Sequence, residues 1–309
     1  MRLIRNVEDE IARLINSGEV KCPSHLCVGQ EAIAVGVSYH LRNTDRVFGT
    51  HRSHSHYLAL GGEPKSLFAE VLGRRDGCSK GMGGSMHLFG GKHGFLGSVP
   101  IVGGTVPIAV GAGLAAKKDG HGDVGVSYFG DGACEEGVVH EAFNLAAIYE
   151  IPVLFVCENN LFASHMDIHL RQPSDRMSRF AEANRINVQT VDGNDVLAVA
   201  KATETLLEKS RKGNGPGFLE VVTYRWKGHV GAADDVDVGV LRKEKDIIAW
   251  KKRDPIQRLR QGLVNQRKMD DSEFNAMDRE ISKDLMRAIN EAKKSPYPEQ
   301  NDLLDYVYA

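Results

Sequence analysis

The sequence predicts an α/β protein built on a parallel sheet, and three stretches predict it. Residues 124–129 form a short run with the β-branched and aromatic content of a buried strand. Residues 135–149 follow with apolar side chains at Val138, Val139, Ala142, Leu145, Ala146 and Tyr149, the spacing of an amphipathic helix. Residues 151–157 are a second continuous apolar run. A strand, a helix and a strand joined by a few residues each need a crossover connection, which makes the two strands parallel. The alternation resumes downstream with a strand over 186–191, a helix over 196–210 and a strand over 217–224.

Parallel strands end on one edge of their sheet, where α/β proteins hold ligands. Asp131 stands just past the first strand and Asn160 just past the second, so a carboxylate and an amide oxygen converge there. Together with a main-chain carbonyl they suit Mg²⁺, a hard cation that takes its remaining ligands from phosphates and water. The amides of Gly132 and Ala133, at the start of a predicted helix, favour phosphate. Taken singly, Gly130-Asp131-Gly132 reads equally well as a turn, and Glu158-Asn159-Asn160 as a strand-end loop. Separated by one crossover unit, they point to a cofactor bearing a diphosphate.

With 309 residues the chain can bury a large core, and no Pro/Ser-rich linker or repeat divides it, so a single domain over 1–309 is expected. A net charge of −2 offers no field for nucleic acid or an anionic membrane, which leaves a small molecule as the expected substrate. Five cysteines without a C-x-x-C pair predict reduced thiols rather than disulfides or zinc. The start of the chain lacks an apolar signal core and a transit-type segment, and no run suits a bilayer. The expected location is the cytoplasm.

From the start, residues 6–17 read as a helix, 22–30 as a loop and 31–41 as a helix of small residues. His25, in that loop, fits a packed or surface histidine as well as a functional one. Residues 48–56 hold His51, Arg52, His54 and His56 in a predicted loop, without the helical spacing or cysteine partners of a metal site. Arg52 is the better candidate there, because a guanidinium forks two donors onto a diphosphate. Pro64 opens a helix over 65–74, and residues 77–104 are a glycine-crowded loop system shaped for close backbone approach. The helix from Pro107 to Ala116 is apolar nearly all round and predicts burial, including against another subunit. His229 follows the strand at 217–224 on the same sheet edge as Asp131. Residues 228–239, rich in glycine, alanine and aspartate, read as a mobile loop that orders over a bound ligand. Beyond Asp254-Pro255 the chain is charged helix.

Several motifs together give the chain a family likeness: His25-Leu-x-x-Gly-Gln-Glu-Ala32, Thr50-His-Arg-x-His54, Gly81-x-Gly-Gly-Ser-Met-His87 and Ile101-Val-Gly103. Gly130-Asp-Gly132, Glu158-Asn-Asn160 and Tyr224-Arg-Trp-x-Gly-His229 complete the set. From about residue 5 to the end it resembles the alpha subunit of the thiamine-diphosphate-dependent first component of 2-oxo-acid dehydrogenase complexes, of pyruvate or acetoin type. The resemblance implies a thiamine-diphosphate-binding fold, a parallel sheet flanked by helices with a helical C-terminal segment. It implies that Asp131, Asn160 and the carbonyl of Phe162 hold Mg²⁺, and that His51, Arg52, Val102, Gly132 and Ala133 line the cofactor. His25 and His229 fall on the family's active-site histidines, His229 beside the cofactor as well. It further implies a beta subunit that supplies the glutamate facing the pyrimidine ring, in an alpha2-beta2 assembly. The implied activity is decarboxylation of a pyruvate-like 2-oxo acid, or cleavage of acetoin, with transfer of the acyl fragment to lipoamide on an acyltransferase.

Two departures bear on the acceptor. Val99-Pro100 stands where relatives carry Asn-Gly, and Val230-Gly-Ala-Ala-Asp-Asp235 replaces a Ser-x-Asp-Pro-type loop. They admit a second reading, transfer of a two-carbon unit to a carbonyl acceptor such as a keto-sugar. A third, a non-catalytic scaffold subunit, is opposed by the retained Asp131, Asn160 and both histidines. Ser164-His165-Met166 is also unusual, and the sequence gives no physical account of it.

Overall fold

A computed structural model of the chain describes residues 1–305 apart from 235, 238 and 239. In chain order, helix α1 (Arg2–Asn16) and α2 (Glu31–Ser38) precede strand β1 (Arg46–Gly49), helices α3 (His54–Ala59) and α4 (Pro64–Val71), and strand β2 (Phe95–Ser98). Helix α5 (Thr105–Asp119), β3 (Gly125–Gly130), α6 (Gly137–Ile148) and β4 (Val153–Asn159) form the crossover unit. A small hairpin of β5 (Phe162–Ala163) and β6 (Met166–Asp167) follows, then α7 (Ser178–Ala183), β7 (Asn187–Asp192), α8 (Val196–Arg211) and β8 (Gly217–Val222). Helices α9 (Glu244–Lys251), α10 (Pro255–Asn265) and α11 (Asp271–Lys294) come last.

The main sheet runs β2-β1-β3-β4-β8-β7 with every neighbouring pair parallel, as the crossover argument requires. Its strands alternate between two apolar layers. On β4, Leu154 and Val156 join the cluster under α1, α2, α4, α8 and α11, while Val153, Phe155 and Cys157 join the one under α5, α6 and α7. On β3, Val126 and Tyr128 face the first layer and Phe129 the second. Burial on both faces is why these strands read as unbroken apolar runs. Each fully buried Leu, Phe or Val in them contributes about 1.5–3 kcal/mol. Helix α5 lies so close to the root of β3 that a Cβ on Gly125 would come within 2.3 Å of the Ala109 carbonyl and 3.0 Å of the Gly113 nitrogen, while one on Gly113 would come within 2.8 Å of the Pro152 carbonyl just ahead of β4. Glycine at both positions is what lets the two backbones touch.

Local differences from the sequence expectations have identifiable causes. The predicted loop at 48–56 is the end of β1 followed by α3, and the glycine-rich stretch contains β2, which pairs with β1. Residues 131–135 are a 3₁₀ turn, and the regular helix begins at Gly137. On α6 the sheet-facing stripe is Val139, Ala142, Phe143 and Ala146, so Val138, Leu145 and Tyr149 point outward. Helix α5 likewise buries one face, through Val106, Ala109, Val110, Gly113 and Ala116, and exposes Ile108. The five cysteines are free, as expected.

The glycine loop is organised by a residue that the motifs did not single out. Glu70, fully buried at the end of α4, accepts the amides of Ser79 (2.6 Å) and Gly81 (3.0 Å) on one oxygen and of Gly83 (2.7 Å) and Gly84 (3.0 Å) on the other. Without Cβ atoms at 81, 83 and 84 the chain can wrap one carboxylate this tightly. Glu70→Ala should cost about 3 kcal/mol by orphaning these donors. Urea unfolding will read that loss, and limited proteolysis should find new cleavage within residues 77–88.

Candidate active site

Four adjacent strands deliver the candidate residues to one edge. The chain leaves β1 through Thr50, His51 and Arg52, β3 through Asp131, Gly132 and Ala133, and β4 through Asn160; beyond β8 it reaches His229. There they surround a cavity of about 420 Å³, lined by His25, His51, Arg52, Val102, Gly132, Ala133, Asn160, Phe162 and His229 among others. Its size is that of a small-molecule site. Asp131 alone of the expected set lies behind the wall: it is fully buried, and its carboxylate accepts the Asn160 amide at 3.3 Å and pairs with Arg171.

Three histidines meet at this cavity, and they are not the three that sit close in sequence. His25, His51 and His229 have ring centroids 4.6, 4.9 and 5.3 Å apart. His54 turns into the core as the first residue of α3, between Glu8 (3.0 Å) and Ser85 (2.8 Å). His56 stacks on Tyr128 at 3.8 Å and reaches Glu158 at 3.2 Å. The spacing of 51, 54 and 56 thus describes one ligand-facing histidine and two structural ones.

Electrostatics keep His25 and His51 uncharged. Burial, followed by the Arg52 guanidinium, pushes His25 down to about 2, and the same two causes take His51 down to about 3. His25 Nδ1 is buried without a hydrogen-bond partner. Arg52 is itself lowered to about 9 by burial and by Arg225. It donates to the carbonyls of Leu26 (2.7 Å) and His229 (3.1 Å) and lies 3.3 Å from His229 Nδ1, so it ties the His25 loop to the His229 loop. Among the described residues no carboxylate forms an ion pair with Arg52. A 5% exposed guanidinium on a cavity wall with no carboxylate in ion-pair contact is suited to an anion.

The histidine shifts have a stability consequence with a definite sign. An imidazole that stays neutral in the fold but takes a proton near pH 6.5 when unfolded makes the unfolded chain bind more protons, so stability is intact above that pH and falls below it. Two such groups give a slope of up to about 2.8 kcal/mol per pH unit on the way to pH 3. Denaturant titrations at pH 7 and pH 5 will measure it, and a His25→Asn/His51→Asn double variant should show the smaller difference.

The segment after β4 completes the wall. Asn160 Oδ1 accepts the Phe162 amide at 3.2 Å, and the β5–β6 hairpin turns at Ser164 and His165, with Ser164 at a left-handed φ of 54°. The Ser164 carbonyl accepts from Arg225 at 2.7 Å, and a Cβ on Gly132 would approach Ala163 to 2.8 Å. This gives Ser164-His165 a structural role as the hairpin tip pinned over the site. Residues 228–234 have more anchors than their composition suggests: Gly228 donates to Ala233 at 2.9 Å and Gly231 to Ser24 at 2.8 Å. The end of that predicted loop, at 235, 238 and 239, lies outside the described residues.

Residues 1–301 match the family model of the dehydrogenase E1 component. The chain belongs to this family. It is similar over 99% of its length, at 36% identity, to the alpha subunit of an acetoin:2,6-dichlorophenolindophenol oxidoreductase of Bacillus subtilis, covering 90% of that chain. Over its whole length it is 35% identical to the pyruvate dehydrogenase E1 component subunit alpha of Porphyra purpurea, covering 91% of it. The acetoin-type alpha subunit of Cupriavidus necator is also 35% identical, with 92% covered. The chain covers about nine-tenths of each of these relatives, which are alpha subunits by name, in agreement with the motifs quoted above. No helix among the described residues is long and apolar enough to cross a membrane.

Sequence reasoning passed over Arg171 and Glu135 at this site. Arg171 bridges the two acids, one guanidinium nitrogen on Asp131 and the other on Glu135. It lies 40 residues past Asp131 in a stretch with no recognisable motif, and nothing in its neighbours signals the contact.

Proposed function

We propose that this chain is the alpha subunit of a thiamine-diphosphate- and Mg²⁺-dependent enzyme acting on a pyruvate-like 2-oxo acid or on acetoin, with lipoamide as acyl acceptor. The observation that supports it best is a buried arginine without an ion-paired acid on the wall of a cavity that Asn160 and Phe162 also line, with the Asp131 carboxylate directly behind Asn160. The fit is chemical. Asp131 and Asn160 adjoin, Phe162 contributes a carbonyl from the same turn, and all three are hard oxygen donors. The Gly132 and Ala133 segment and Arg52 suit the diphosphate.

Thiamine diphosphate, when bound, supplies the carbanion-stabilising chemistry, and the protein supplies binding, orientation and proton handling. Asp131, Asn160 and Phe162 would hold the metal. His25 and His51, held neutral by burial and Arg52, add no positive charge before substrate arrives, and His229 brings a third imidazole to the same wall for proton handling. Arg52 holds the two loops that present His25 and His229 in register. Arg225 pins the Ser164 turn, which helps exclude water from the metal end.

A beta subunit belongs to this reading. Ile101, Ile108, Leu145 and Ile148 are exposed on or beside α5 and α6, which pack side by side, and Val102 links that apolar surface to the cavity wall. An apolar face continuous with a site rim is suited to a partner that closes the site. A second acceptor, a small carbonyl compound, is favoured by Pro100 on the wall, which brings no amide donor to it.

Calorimetry tests the core of the proposal: thiamine diphosphate should bind with Mg²⁺ and fail to bind in EDTA. Equal binding in both would exclude the metal-bridged cofactor. With the beta subunit present, product analysis after pyruvate, using lipoamide or an aldehyde as acceptor, separates the two acceptor readings.

A further inference from the structure

The Asp131 carboxylate is buried to 0% exposure, and burial pushes its pKa up, opposed by Arg171. Such a charge needs a cation beside it. Arg171 is that cation, with a side chain only 6% exposed. It is anchored through its own backbone, whose amide donates to Ile168 at 3.2 Å, and its Nε reaches the Met166 carbonyl at 3.4 Å. Its second guanidinium nitrogen already rests on Glu135, whose side chain is 31% exposed and on the cavity wall. The arginine therefore has two acids within reach, one deep and one at the rim.

We propose that Arg171 competes with the divalent cation for Asp131 and yields it by shifting wholly onto Glu135, so that this arginine sets the metal affinity of the site. The inference rests on the reading of Asp131 as a metal ligand. Its physical basis is Coulomb's law: a guanidinium and a divalent cation on one buried carboxylate repel each other at close range, so filling the site with metal requires the arginine to move. Glu135 makes that move feasible, because the guanidinium exchanges one carboxylate for another without entering an uncompensated environment.

The test is Mn²⁺ binding to the full-length chain with saturating thiamine diphosphate, followed by electron paramagnetic resonance of the free ion. Arg171→Gln should lower the Mn²⁺ Kd roughly tenfold relative to wild type, an ordinary size for a coupling of this kind. The same variant in EDTA should melt at a lower temperature than wild type and gain more from added Mn²⁺. Wild-type binding with an equal or higher Kd in Arg171→Gln overturns the competition and leaves the metal assignment standing. Failure of both chains to bind Mn²⁺ overturns the metal assignment and this inference with it. Should Arg171→Gln not fold, Glu135→Gln decides: with the rim acid gone the arginine has nowhere to retreat, and Mn²⁺ binding should weaken severalfold. Unchanged or tighter binding in Glu135→Gln overturns the proposal.

Discussion

Asp131→Ala is expected to lower the affinity for thiamine diphosphate in the presence of Mg²⁺ by at least about 100-fold, more than the loss of an outer-shell partner causes. The reason lies in the sheet edge. Asp131 is the carboxylate that follows β3, and Asn160 and Phe162 bring only neutral oxygens to the same turn. Glu135 is held by Arg171 and stands at the rim, so it cannot take over without dismantling that pair. The variant also leaves Arg171 facing the site with only Glu135, which adds positive charge where the metal should sit. Calorimetric titration reads the effect directly. An affinity within a few-fold of wild type would remove Asp131 from the metal site.

The second large effect is all-or-none. The chain purified by itself is expected to release no CO₂ from pyruvate, even with saturating thiamine diphosphate and Mg²⁺, and to gain turnover on mixing with its beta subunit. Three glutamates line the cavity, but none is placed to serve the far end of the cofactor. Glu135 shares Arg171 with Asp131, Glu136 follows it directly, and Glu158 at the end of β4 is engaged by His56 at 3.2 Å. In the proposed reading all three adjoin the Asp131–Gly132–Asn160 edge assigned to the diphosphate, so the pyrimidine-facing acid is expected from the beta subunit. The exposed apolar surface of α5 and α6 is where a partner carrying it would seat. A carbon dioxide assay on the separated chain, with and without the partner, decides the point; steady turnover by the lone chain would refute the shared site.

What the sequence made legible follows from how each feature is encoded. β3, β4 and β8 are buried on both faces, so each is a continuous apolar run that shows itself in a short window. Asp131 and Asn160 were placed together because a crossover unit fixes which ends of two parallel strands are neighbours. β1 and β2 were not visible: each is four residues long, and both lie among histidines and glycines whose local preferences favour loops. His25, His51 and His229 were all named, through the family motifs; that they form one group while His54 turns away depends on α3 starting at residue 54 and rotating that ring toward Glu8. Glu70 and Arg171 were invisible, because the partners that define them are backbone amides in one case and a carboxylate 40 residues away in the other.

The contact between α5 and the root of β3 has a mechanical consequence. With glycine at 113 and 125, no cushion of side chains separates helix backbone from strand backbone, so the contact is stiff. β3 runs only from Gly125 to Gly130 before it ends at Asp131. β3 is hydrogen-bonded to β1 and β4 on its two sides, so a Cβ added at Gly125 could be accommodated only by moving α5 off the sheet. Any side chain at residue 113 or 125 is therefore expected to part α5 from the strand that ends at Asp131.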